Sequence, residues 1–126
     1  MIAGLFSFVL GSCYADLGED HDEQRLSIAL DPAPGSVLQR TMGTTYDFKV
    51  LVKSAMPPQG VNVNVVYRQD SDNQVVFNQN YTTTTSPLNV TINNIPFNEI
   101  GTVVVTVVSR TYDLNKATET FKLVRK

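Results

Sequence analysis

From residue 25 onward, apolar and polar side chains alternate with a period of two, and no stretch keeps the 3.6-residue apolar period of a helix over three turns. In Tyr46, Phe48, Val50 and Val52 the apolar positions alternate with Asp47, Lys49, Leu51 and Lys53. One face of that segment therefore goes to a core and the other mostly to water. Val61, Val63, Val65 and Tyr67 do the same around Asn62 and Asn64, and Leu88, Val90 and Ile92 repeat the pattern against Asn89 and Thr91. Leu26-Ile28-Leu30, Val75-Phe77, Val103-Val105-Val107 and Phe121-Leu123 complete a set of seven expected strands.

Breakers sit between these segments: Pro32, Pro34, Gly35 and Gly43; Pro57, Pro58 and Gly60; Asp70-Ser71-Asp72-Asn73; Pro87; Pro96 and Gly101; and residues 113–115. Seven short strands with turns at this spacing, in roughly 100 residues, predict an all-β fold, a single immunoglobulin-like β-sandwich of about seven antiparallel strands over residues 25–126. The Cys-Trp-Cys set of antibody domains is absent, so the expectation concerns architecture alone.

The start of the chain follows a different rule. Residues 1–13 read MIAGLFSFVLGSC, uncharged and apolar or small throughout. That is too short for the ~20 apolar residues that span a bilayer, and it has the apolar core and small-residue end of a secretory signal. Leu10-Gly11-Ser12-Cys13 resembles the lipobox of bacterial lipoproteins, in which the signal is cut before a cysteine that then carries lipid. The resemblance implies a signal segment at 1–12, with basic residues lost upstream of it, and a lipid on Cys13. Cys13 is the lone cysteine, so no disulfide within the chain supports the fold. Buried methylenes of the attached chains would hold the protein at a membrane. Residues 13–24 then form an acidic linker in which Asp16, Glu19, Asp20, Asp22 and Glu23 crowd together before the first basic residue, Arg25. Such a segment is expected to be a solvated spacer.

A second resemblance lies at the other end of the chain. The run Asn94-Ile95-Pro96-Phe97-Asn98-Glu99-Ile100-Gly101-Thr102-Val103-Val104-Val105-Thr106-Val107-Val108-Ser109, followed by Ala117-Thr118-Glu119-Thr120-Phe121-Lys122-Leu123, is similar to the last two strands of PKD-like bacterial surface domains. Their Trp-Asp-Phe-Gly-Asp-Gly signature is missing, although Tyr46-Asp47-Phe48 occupies the corresponding early strand. With the lipobox, the whole chain resembles small single-domain lipoproteins of the Bacteroidetes. That resemblance implies a location at the outer membrane, lipid-anchored and facing the cell surface.

Charge and chemistry narrow the function classes. Twelve acidic and ten basic side chains nearly balance, and no Lys/Arg block suits a polyphosphate backbone, so no nucleic-acid partner is expected. The single histidine, His21, lies in the acidic linker, away from any base-and-nucleophile arrangement in the domain. Neither an enzyme nor a cofactor is expected. Asp70-Ser71-Asp72-Asn73 could offer oxygens to Ca²⁺, but Asp and Asn also favour hairpin turns, and the turn is the preferred reading. No metal site is expected there or in the acidic linker, where a flexible site would have to be ordered on binding. Asn80-Tyr81-Thr82 and Asn89-Val90-Thr91 match the N-glycosylation pattern, which is accidental in a bacterial protein.

Two binding readings stand. The first is a non-catalytic binding or structural module, displayed by its lipid and meeting a protein partner at the cell envelope, as a subunit of an outer-membrane assembly. The second is a glycan-binding lipoprotein in which loop tyrosines stack on sugar rings. Candidate contact residues are Tyr81, Tyr112, Asp70, Asp72 and Phe97, with Tyr14 a further aromatic in the linker. The usual strand order gathers the loops at 54–60, 81–87 and 111–115 at the end where the chain enters, and places 31–43, 70–73, 94–101 and the C-terminus at the other. The second end would then face away from the membrane.

Overall fold

The computed structural model of the protein describes residues 24–33 and 38–126. The expected signal segment at 1–12, Cys13 and the linker up to residue 23 lie outside the described residues. There are eight strands: β1 (Ile28–Asp31), β2 (Gln39–Thr41), β3 (Tyr46–Val52), β4 (Val61–Gln69), β5 (Val75–Thr83), β6 (Leu88–Ile92), β7 (Gly101–Ser109) and β8 (Lys116–Arg125). No helix occurs among the described residues. One sheet has the order β1-β3-β6, the other β2-β8-β7-β4-β5.

Alternation explains the layers. Val61, Val63, Val65 and Tyr67 of β4 lie opposite Ser109, Val107, Val105 and Val103 of β7, so both strands send the same positions inward. All these side chains are buried. Leu30, Phe48, Val50, Val90 and Ile92 supply the inner face of the smaller sheet, and both sheets share one apolar cluster. Phe48 of β3 meets Phe121 of β8 edge-on, with ring centroids 5.5 Å apart. Each fully buried Val, Leu or Phe is worth roughly 1.5–3 kcal/mol over the same side chain left in water. The arrangement is an all-β fold of two layers, as a β-sandwich requires.

Two expectations about strands change. The stretch at 31–43, expected to be a loop, contains β2, which pairs parallel with β8 through Gln39↔Leu123, Arg40↔Val124 and Thr41↔Arg125. The described residues therefore hold eight strands, not seven, and not every pairing is antiparallel. The expected short strand around Val75 and Phe77 is nine residues long and runs on through Tyr81, Thr82 and Thr83. Its outer positions need no apolar residue, because it lies at the edge of its sheet with polar side chains in water.

The expected grouping of loops at two ends appears in the hydrogen bonds. At the end where the chain enters, Asn115 takes the Leu26 amide on its Oδ1 at 2.8 Å and donates from Nδ2 to the Gln24 carbonyl at 3.0 Å. Ala55 N donates to Gln24 Oε1, Val52 N to Ser86 Oγ, Gln59 N to Thr111 Oγ1 and Arg110 N to the Gly60 carbonyl. At the opposite end Ile95 N donates to the Thr44 carbonyl, Asp70 N to that of Ile100, Asn98 N to that of Arg125 and Lys126 N to that of Thr41.

Candidate functional site

At the end opposite the chain's point of entry the β4–β5 and β6–β7 connections lie side by side. The β4–β5 hairpin turns through Asp70-Ser71-Asp72-Asn73, where Asp72 Oδ1 accepts the Gln74 amide at 3.0 Å and Asn73 takes a left-handed φ of 61°. Asn tolerates that conformation because its short amide can bond locally. Beside it, residues 93–100 cross from β6 to β7 with two more left-handed asparagines, Asn94 and Asn98. Ser71 Oγ donates to Glu99 Oε1 at 3.4 Å, tying the hairpin to that crossing.

Asp70 is the polar centre of this end. Its Oδ2 pairs with Lys122 Nζ at 2.7 Å and its Oδ1 accepts from Thr102 Oγ1 at 2.7 Å. Lys122 also donates to Thr102 Oγ1 at 2.7 Å, closing a triangle between the turn that follows β4 and strands β7 and β8. The hydrogen bond from Lys122, followed by that from Thr102, holds the Asp70 carboxyl below the ordinary carboxylate range. Under this triangle lies Tyr67, fully buried, its hydroxyl donating to the Leu123 carbonyl at 3.3 Å. Burial, then the charges of Asp70 and Glu99, push the Tyr67 hydroxyl pKa up.

Apolar surface flanks the polar centre. Phe97 is 64 % exposed and Met42 90 %, and Ile100 is also exposed. The Arg125 guanidinium sits 5.6 Å from the Phe97 ring centroid, and the two residues also form a parallel backbone bridge. Arg125 thus stands between β2, which leads to Met42, and the crossing that carries Phe97.

Asp70, Asp72 and Phe97 belong to this one end. Asp72 is used as a turn residue, in agreement with the hairpin reading, and no group of three His, Cys, Asp or Glu among the described residues is placed to hold a metal ion. Tyr112 lies at the other end, in the β7–β8 connection, where its amide donates to Ser109 Oγ at 3.1 Å and its carbonyl accepts from Asn115 N. Tyr81 was expected in a loop and lies instead within β5, opposite Val63. Its side chain shares the face of Val63 and packs against the core, and burial pushes its hydroxyl pKa up. The structure therefore does not join Tyr81 and Tyr112 into one aromatic platform.

Sequence reasoning missed Lys122, Thr102 and Arg125, which are outward or edge positions on strands legible in the pattern. No local signal marks them, since Lys122 reaches Asp70 across 52 residues of sequence. It also missed an open depression of about 490 Å³ on the outer side of the smaller sheet, where Asp31, Asp47, Lys49, Asn89 and Thr91 line the wall. Asp47 Oδ1 there accepts from Thr91 Oγ1 at 2.7 Å, so part of that lining is already paired.

The fold and these ends define a two-layered β-protein with one polar-and-apolar end and one end that receives the chain. No protein-family model matches the chain, and no curated protein matches it.

Proposed function

We propose that the chain is a displayed module: an immunoglobulin-type, PKD-like β-sandwich held at the outer membrane by lipid on Cys13, acting by binding and not by catalysis. The strand order β1-β3-β6 against β2-β8-β7-β4-β5, with a short second strand parallel to the last, supports the immunoglobulin type.

The observation that carries the reading is the polarity of the domain. The chain enters through Gln24 and Leu26, both gripped by Asn115 at one end. The exposed Phe97, Ile100 and Met42 and the Asp70–Lys122 pair occupy the other. A tether leading from residue 24 back to Cys13 turns the first end to the membrane and the second outward. The outward end then offers an aromatic ring, aliphatic surface and charges of both signs, a mixture suited to a protein partner in an envelope assembly.

Two measurements test this. Cys13→Ala is expected to move the protein from the membrane fraction to the soluble one; a variant still in membranes would mean that the lipid is not the anchor. Purification of the lipidated protein from solubilised membranes is expected to bring down a stoichiometric protein that Phe97→Asp loses. Recovery of the module alone, or a glycan in place of the protein, would overturn the reading.

A further inference from the structure

Each sheet has two edges, and three of the four are blunted. β1, β2 and β6 are four, three and five residues long. The part of β8 preceding its pairing with β2 carries Lys116, Glu119 and Lys122, and Glu119, opposite the inward Val105, puts a charge on the core side of that strand. Short edges and inward charges are the usual defences against pairing with a further strand.

β5 has few such defences. It is nine residues long, the outermost strand of the larger sheet, and contains no charged residue and no proline. A bulge interrupts its pairing with β4 between Tyr67 and Arg68, near Val75, so the regular ladder runs from Phe77 to Thr83. The sequence Val75-Val76-Phe77-Asn78-Gln79-Asn80-Tyr81-Thr82-Thr83 is chemically symmetric about Gln79: amide to either side, then an aromatic, then two β-branched residues. An interface between two identical chains about a twofold axis requires a surface complementary to itself. This strand has that property.

We infer that β5 is a self-association edge, and that two copies of the chain pair antiparallel through it with the twofold axis at Gln79. The pairing would set Phe77 opposite Tyr81 of the second copy on the inner face, and Asn78 opposite Asn80 on the outer face. Asn64 already donates to both Asn78 Oδ1, at 3.1 Å, and Asn80 Oδ1, at 2.8 Å. Each of these oxygens keeps a second lone pair, so across the edge Asn78 and Asn80 of the second copy can still exchange one NH₂-to-Oδ1 hydrogen bond. Thr82 is drawn back toward β4 by its bond to Asn62 at 2.8 Å. Gln79 is exposed although it shares the face of buried Val65. At the axis its amide would meet its own copy, and amides can pair with themselves as donor and acceptor. Two five-stranded sheets would become one of ten strands.

Sedimentation of the full chain over a concentration series, under reducing conditions, tests this. The wild type is expected to pass from monomer to dimer with rising concentration. Gln79→Lys and Gln79→Glu, each placing two like charges at the axis, are expected to weaken dimerisation at least tenfold, with urea midpoints equal to the wild type's at concentrations where the wild type is monomeric. Their equimolar mixture is expected to recover a mixed dimer. A wild type that stays monomeric throughout, single variants that dimerise as it does, or a mixture that stays monomeric would each overturn the inference.

Discussion

Asn115 joins two stretches of chain about 90 residues apart, Gln24 and Leu26 on one side and its own turn on the other. It is 1 % exposed, so losing its side chain leaves the buried Leu26 amide short of a partner in a place where water enters poorly, while the Gln24 carbonyl, at an exposed residue, can turn to water. A buried group left unsatisfied costs about 1–3 kcal/mol. Asn115→Ala is expected to lower stability by that amount in urea unfolding, and to speed hydrogen exchange at Leu26 beyond that at Val105. Uniform exchange changes would show that the segment is held by packing alone. Asp70 acts at the same scale with a smaller effect. Its carboxyl pKa is lowered in the folded chain, so its contribution is whole above the unfolded carboxyl value and is lost as pH falls through the folded one. The side chains of the pair are 52 % and 38 % exposed, so the amount stays below about 1 kcal/mol. The gap in urea midpoint between wild type and Asp70→Asn is expected at neutral pH and should close in acid.

Among the elements, β7 shows how one residue fixes where a strand starts. Gly101 is buried, and a Cβ placed there would collide with the Tyr67 ring and come within 2.5 Å of the Arg68 carbonyl oxygen. Gly101→Ala forces the first pair of the β7–β4 ladder apart and is expected to cost roughly 1–3 kcal/mol, as overpacking does. An unchanged unfolding midpoint would mean that this end of β7 shifts freely. The same strand was among the plainest in the sequence, because Val103, Val105 and Val107 alternate without interruption in the middle of a sheet. β2 left no such trace. Gln39, Arg40 and Thr41 carry no alternation, and their partners lie 84 residues away in β8, so only the finished sheet makes them a strand. The far half of β5 was hidden for a related reason: an edge strand is not obliged to bury every second residue, and Gln79, on the inward face between Phe77 and Tyr81, stays exposed. Of the candidate site, the turn at Asp72 and the exposed Phe97 were legible, whereas the clasp around Asp70 depended on Thr102 and Lys122 arriving from other strands.

At the scale of the whole molecule, both ends of the described chain meet the same strand. Leu26 is fastened to Asn115 just before β8 begins, and β2 lies parallel to β8 at its close, with Lys126 N bonded to the Thr41 carbonyl. A pull applied at Gln24 and at Lys126 would load the Asn115 clasp and the β1–β3 pairing, and beyond them would draw β2 and β8 in opposite directions along their shared axis. The hydrogen bonds between them would be loaded together, in shear, instead of opening one after another. The domain would meet such a load with β2 and β8 aligned to resist it, and the rungs at Gln39, Arg40 and Thr41 would bear it once β1 had given way.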